Sequence, residues 1–377
     1  MEPVIQELIA LLQIGASSGD ERAVADALRS KLEEIGFTVT EDDAGSRLVE
    51  KCGIKGNCGN LIAVLEGGAP GSILFTSHMD RVANGYNIHP QLHEDGLLTS
   101  DGTTILAADD LSGAMAIVEG VRRVKASGKP FPRVEVVFCI AEEAGLWGSH
   151  LLDSSSLQSK IGYALDSPGR LGRIISGAPC RACLSCEVFG KPAHAGVSPE
   201  LGVNAVTALG KVLANLRDGR LDEDTTANFA FLSHGCQSIN IVQEYAKVEG
   251  EARSAHQEKL EAYIEYFHAY CRKAVEGTGA TVKTHAQIGF ESFNISDEQP
   301  TVRLAKQVFQ DMGIPSVAER LGGGMDANNL NSRGIECVGL ATGYDKNHTI
   351  HETLNTKDFV GACEAVERLI WAYAATV

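Results

Sequence analysis

The apolar positions of this 377-residue chain follow two rhythms. Near the start the rhythm is helical. Ile5, Leu8, Ile9 and Leu12, then Val24, Leu28, Leu32 and Ile35, recur every three or four residues and predict helices over 4–14 and 20–36. Short apolar runs follow at 60–66 (NLIAVLE), 72–77 (SILFTS), 133–140 (RVEVVFCI) and 161–166 (IGYALD), each read as a strand. Leu111, Met115, Val118 and Val121 on successive turns predict a helix over 110–126. Near-continuous apolar strands alternating with helices predict an α/β fold: a central, mostly parallel sheet with helices on both faces.

The rhythm changes in the middle. A strand at 181–189, a helix at 201–217, strands at 226–233 and 238–252, a helix at 254–276 and a strand at 280–290 give the order βαββαβ. Such a split unit is able to fold alone as an α+β domain. A helix at 299–313, a strand at 336–341 and a helix at 356–374 then return to the first style. The expectation is a larger domain of 1–176 and 291–377, interrupted by an inserted domain of 177–290.

Charge and cysteine content narrow the classes. A formal net charge of −16 argues against a nucleic-acid or anionic-membrane partner. The opening MEPVIQELIALLQI lacks a basic leader, and no apolar stretch reaches the ~20 residues that span a bilayer. The expectation is a cytoplasmic protein whose 10 cysteines are reduced. Cys180, Cys183 and Cys186 are spaced like a soft-metal site. On a strand they would alternate faces and could not all chelate. Cys52 and Cys58, in the Gly-rich, hairpin-like KCGIKGNCGN, read as free thiols.

The candidate chemistry is acidic. His78, Asp80, Asp109, Glu142, Glu143 and Asp166 fall where strands end or new elements open. Imidazole nitrogen and carboxylate oxygen suit a hard or borderline divalent metal. His78 and Asp80 project to one side of an extended chain, so Asp80 can accept the second imidazole N–H. Asp109 is suited to bridge two metals, and Asp110 to cap the helix that follows. Adjacent Glu142 and Glu143 point apart, so one can bind metal while the other faces substrate. Their repulsion raises the proton affinity of one, which suits a general base. GYDKNHTIHET holds His348 and His351. The loop GGGMDANN (322–329) can bring backbone N–H groups close to a ligand, ahead of a helix at 326–332.

Taken in order, HMD, AADDLSGAMA, AEEAGLWGS, LDSPG, GKPAHAGVSPELGVNA and HTIHE resemble the family of dinuclear zinc hydrolases that includes peptidase T and carboxypeptidase G. The resemblance spans nearly the whole chain and is strongest to the peptidase T-like branch. A related aminopeptidase family without the inserted domain shares HMD and the Glu pair, and GKPAHAGVSPELGVNA sets this chain apart from it.

The resemblance implies roles. His78 and Asp166 would bind one zinc, Glu143 and a C-terminal His the other, and Asp109 would bridge them. Asp80 would orient His78. Glu142 would take a proton from the metal-bridging water and pass it to the leaving amine. The family pattern His-x-x-[Asn/His]-Glu makes His348, rather than His351, the ligand. His194 in KPAHAG resembles the lid His that stabilises the oxyanion, often in the partner subunit. Arg253 in EGEARS resembles an Arg that grips a substrate carboxylate, and Asn240 in SINIV a substrate-binding Asn. The whole implies a metal-dependent hydrolase cleaving short peptides, an aminopeptidase of tripeptidase type, dimeric through its inserted lid. Two zinc ions are expected, with cobalt or manganese also accommodated. Two chain crossings to the lid suit hinge closure over substrate. The alternatives are an N-acyl amino acid or carbamoyl amidohydrolase, and a non-catalytic binding protein. The last would have lost the base or a ligand, and every expected position is filled.

Overall fold

The computed structural model describes residues 2–377. They form two compact units: residues up to Ala178 together with Phe293–Val377, and Pro179–Ser292.

In the first unit, nine strands of the described residues make one sheet. Phe131–Cys139, Gly68–His78, Ile161–Ser167 and Glu336–Ala341 lie side by side and run parallel. Leu61–Leu65 and Thr38–Glu41 extend one flank antiparallel, and Arg173–Ala178 with Phe293–Asn294 the other. Phe75 pairs with both Val136 and Tyr163, so the apolar runs meet in register at the centre.

Both faces of that centre are buried, which explains why the strands lack polar alternation. The helix Ala108–Ala126 packs on strands Gly68–His78 and Ile161–Ser167, and helices Pro3–Leu12 and Thr356–Ala374 pack on it in turn. Sandwiched in this way, it keeps little polar face. Gly120 makes the helix contact possible: a Cβ there would lie 2.6 Å from the Val366 side chain. Each fully buried Leu, Ile or Val of this core contributes roughly 1.5–3 kcal/mol.

The second unit is a five-stranded antiparallel sheet with helices Ala205–Leu213 and Gln257–Ala274 sharing its core. Along Cys180–Phe189, Cys180, Ala182, Leu184, Cys186 and Val188 enter that core, and the residues between them face away. Cys180 and Cys186 are therefore buried while Cys183 is exposed, and the three do not converge. Among the described residues all ten cysteines are free.

Some expectations change. Cys52 ends a helix, Ala44–Cys52, rather than lying in a hairpin; Gly53, at φ 77°, supplies the left-handed residue that stops it. The strand expected over 238–252 starts only at Tyr245. Ile239 and Ile241 alternate as a strand would, but both are exposed, and the segment instead bridges back to His194. Asp110 caps nothing: the start of Ala108–Ala126 has no side-chain cap. Among the described residues no helix is long and apolar enough to cross a membrane.

Candidate active site

In parallel α/β sheets, the crevice beyond the carboxyl ends of the strands collects ligands. The acidic motifs of this chain gather there. His78 is the last residue of its strand, Glu142 and Glu143 follow Phe131–Cys139, and Asp166 lies near the end of Ile161–Ser167. Asp109 opens the buried helix, and His348 comes from the loop between Tyr344–Asp345 and Thr353–Asn355.

Asp109 is the centre of the cluster. Its Oδ1 lies 3.3 Å from His78 Nε2, and its Oδ2 lies 3.2 Å from His348 Nε2. Asp166 Oδ1 is 3.9 Å from the His78 imidazole, and Glu143 Oε1 is 3.0 Å from that of His348. Glu142 Oε2 stands 4.0 Å from His78 Nε2, so the two glutamates do point to different partners. Ligand-capable atoms within 4.8 Å of one another define the groups His78–Asp109–Asp166, Asp109–Glu143–His348 and His78–Glu142–Glu143. It is His348 that reaches the cluster. His351 is exposed, and its backbone N–H donates to Thr349 Oγ1.

The electrostatics are those of excess buried acid. Burial pushes the Glu142 carboxyl well up, with Asp166 and Glu143 adding to the effect against His78. Burial raises Asp166 to about 8, partly opposed by His78. Glu143 rises by burial too, although His348 opposes it. Asp109 goes the other way: burial alone would raise it, but hydrogen bonds from His348 and His78 hold it below the carboxylate range. His348, bonded to Asp109 and Glu143, is pulled up to about 10. His78 is raised well above its ordinary value because Asp109 and Asp80 outweigh its burial. Among the described residues the ion pairs of these carboxylates are with the two imidazoles alone. A donor set of imidazoles and carboxylates without a thiolate, buried around Asp109 and His78 and open to solvent at His348, fits divalent cations of the hard or borderline kind.

A second layer holds the first. His78 Nδ1 is 3.1 Å from the Asp80 backbone carbonyl and 3.4 Å from its carboxylate. The Asp80 carboxylate spends its shorter bonds elsewhere: it accepts the N–H of Glu142 at 2.9 Å, that of Glu143 at 3.1 Å and the Ser18 hydroxyl at 2.6 Å. Tyr344 donates its hydroxyl to Asp166 at 3.0 Å, and Asn347 donates to Asp109 Oδ2 at 2.6 Å. Glu352 accepts three backbone N–H groups, from Leu106, Ala107 and Asp109, at 2.8–3.0 Å. Ala107, Ala141 and His348 all sit at positive φ, 64°, 49° and 63°, next to or within the site. Ser18, Tyr344 and Asn347 carry no metal-ligand spacing in the sequence. Glu352 was visible only as the last letter of HTIHE.

The remaining expected residues lie in the second unit. His194 and Asn240 are exposed and neighbours: Ala195 N–H donates to the Asn240 carbonyl at 2.9 Å. Arg253 lies in Tyr245–Ser254 and is already paired, its Nε 2.7 Å from Glu251, which also binds Arg181 at 2.8 Å.

Comparison with known proteins narrows the family. Residues 181–278 match the M20 family described as peptidase dimerisation domain, and residues 60–176 match peptidase family M28. The chain is 36% identical over 369 residues to the uncharacterized protein YqjE of Bacillus subtilis (strain 168), covering 97% of each chain. The crystal structure of aminopeptidase PepT from Bacillus cereus superposes with a TM-score of 0.86 at 34% identity, over 99% of this chain and 98% of that one. This chain belongs to the peptidase T-like M20 family. A Staphylococcus aureus tripeptidase structure agrees, with a TM-score of 0.90 at 30% identity over 99% and 98% of the two chains. The M28 match covers the stretch that carries HMD and the Glu pair, whereas the dimerisation match lies in the inserted unit. As a member of this family the protein is a metallopeptidase, a metal-dependent hydrolase of peptide bonds.

Proposed function

We propose that the protein is an aminopeptidase of short peptides, tripeptides foremost, working with two divalent cations held by His78, Asp109, Asp166, Glu143 and His348. Zinc is the first choice and cobalt or manganese fit the same donors. The observation that carries the reading is Asp109, which presents one oxygen to each of two imidazoles, each with its own further carboxylate.

Bound cations would supply Lewis acidity toward a scissile carbonyl and make a nearby water more acidic. Glu142 is the proton carrier. Its carboxylate is buried, its proton affinity is raised, and its Oε2 stands 4.0 Å from His78 Nε2. It would accept a proton from the attacking water and return it to the leaving amine. Asp80 fixes both Glu142 and Glu143 through their backbone N–H groups.

We assign catalysis to 1–176 with 291–377, and the roles of lid and dimer contact to 177–290. For His194 in oxyanion stabilisation, and for Asn240 and Arg253 in substrate binding, the support is motif resemblance. A homodimer through the inserted unit is supported by the family match and by the exposure of Phe231, Leu232, Val197 and Leu201 there. Light scattering is expected to show a dimer, and a single monomeric species at working concentration would contradict it. Free thiols fit a reducing cytoplasm.

The test of activity is a panel of a free tripeptide, a dipeptide, an N-blocked tripeptide and an N-acyl amino acid. Cleavage of the free tripeptide alone is expected. Cleavage of N-acyl compounds alone would move the assignment to an amidohydrolase. No turnover with cations bound would leave a binding protein on this fold.

A further inference from the structure

Glu142 lies on a turn that no regular element stabilises. Beyond Cys139 the chain leaves its strand, and Ala141 adopts φ 49°. Four successive backbone N–H groups then point away from any strand partner, and each donates to a side-chain oxygen from a distant part of the sequence. Ile140 donates to Asn60 Oδ1 at 3.0 Å and Ala141 to Glu21 Oε1 at 3.0 Å. Glu142 and Glu143 donate to the two oxygens of Asp80. Asn60 also ties down the far end of the turn, donating through Nδ2 to the Gly148 carbonyl at 2.9 Å.

Asp80 belongs to the site already described; Glu21 and Asn60 do not. Both are fully buried. Glu21 stands immediately before the helix Arg22–Ile35 and gives that helix no side-chain bond. Its Oε1 instead accepts Gly19 N–H at 2.9 Å and Ala141 N–H at 3.0 Å. Ser18, three residues earlier, bonds Asp80. The segment from Ser18 to Glu21 thus grips both sides of the Glu142 turn.

We propose that Glu21, assisted by Asn60, is a positioning residue for Glu142: its Oε1 holds the left-handed Ala141 and so sets where the next side chain points. The inference rests on the reading of Glu142 as the proton carrier. A buried N–H without an acceptor is costly, so removing this oxygen lets the turn move until Ala141 finds another partner. A catalytic group displaced by about 1 Å loses on the order of 10²-fold in rate.

The experiment uses the full-length, metal-reconstituted protein with a free tripeptide as probe. It compares wild type, Glu142→Ala, Glu21→Ala, Glu21→Asp and Glu21→Gln. Gln keeps the single oxygen that both N–H groups use. Asp keeps the charge but withdraws that oxygen by one methylene. The expected result is a fall in kcat of about 10- to 100-fold for Ala and Asp, with KM and metal content held. Gln is expected to restore kcat toward wild type. A merely structural role would lower thermal stability without this split and without the rescue by Gln. Should Glu21→Ala fail to fold, the Asp and Gln pair decides alone. Wild-type kcat in Glu21→Asp, or a loss in Gln as deep as in Asp, overturns the positioning role while Glu142→Ala remains inactive. Full activity in Glu142→Ala would instead overturn the reading beneath it.

Discussion

The cluster depends on side chains whose neighbours are far away in sequence, and His348 illustrates the consequence. Two histidines three residues apart offer equal chemistry on paper, but only His348 meets Asp109 and Glu143. His348→Ala is expected to remove one of two bound cations per chain and most of the activity. His351→Ala is expected to retain both cations, and elemental analysis of the dialysed variants checks this. Equal loss in the two variants would contradict the geometry. The ligand-type residues were legible because imidazole and carboxylate at strand ends announce themselves. Glu21 and Asn60 were not, because their work is to bond backbone groups, and no spacing encodes that.

At the scale of elements, the turn between Glu142 and the short helix Trp147–Leu151 is closed by Gly148. A Cβ at Gly148 would lie 2.1 Å from the Ile140 carbonyl and 2.6 Å from Asn60 Oδ1. Gly148→Ala is therefore expected to push apart the same contacts that hold Glu142. The cost should be about 1–3 kcal/mol of stability, with a loss of kcat beyond what the lower midpoint explains. Calorimetry and initial rates on one preparation check both, and an unchanged midpoint would contradict the packing argument. The long apolar helices were readable from periodicity and the parallel strands from their short apolar runs. The strand expected from Ser238 was not, because Ile239 and Ile241 alternate correctly and are nevertheless exposed. Arg173–Ala178 joins the sheet from a Gly-bounded stretch too short to carry a pattern.

For the whole molecule, the cluster links protonation to folding. Asp166 rises from 3.8 to about 8, and Glu21 and Glu352 rise from 4.5 to about 7, in each case chiefly by burial. A carboxyl with a raised folded pKa stabilises the fold fully below its unfolded pKa, and that stabilisation is lost as pH climbs through the folded value. His348, raised from 6.5 to about 10 by Asp109 and Glu143, has the same sign over a higher window. Asp109 is lowered and has the opposite sign, but its contribution is lost only as pH falls below its ordinary 3.8. The thermal midpoint of the metal-free protein is thus expected to fall between about pH 5 and pH 9. Saturating zinc should flatten that fall, because cations replace the protons and binding releases them. A metal-free midpoint that rises with pH over this range would contradict the charge distribution described.

The most direct test of the central claim is metal removal and return on a single preparation. The chelated protein is titrated with zinc while bound metal per chain and tripeptide hydrolysis are followed together, beside Asp109→Ala. The account predicts no cleavage after chelation, recovery as two cations bind per chain, and loss of both cations and activity in the variant. Undiminished hydrolysis by fully chelated protein, or two tightly held cations in Asp109→Ala, would contradict it.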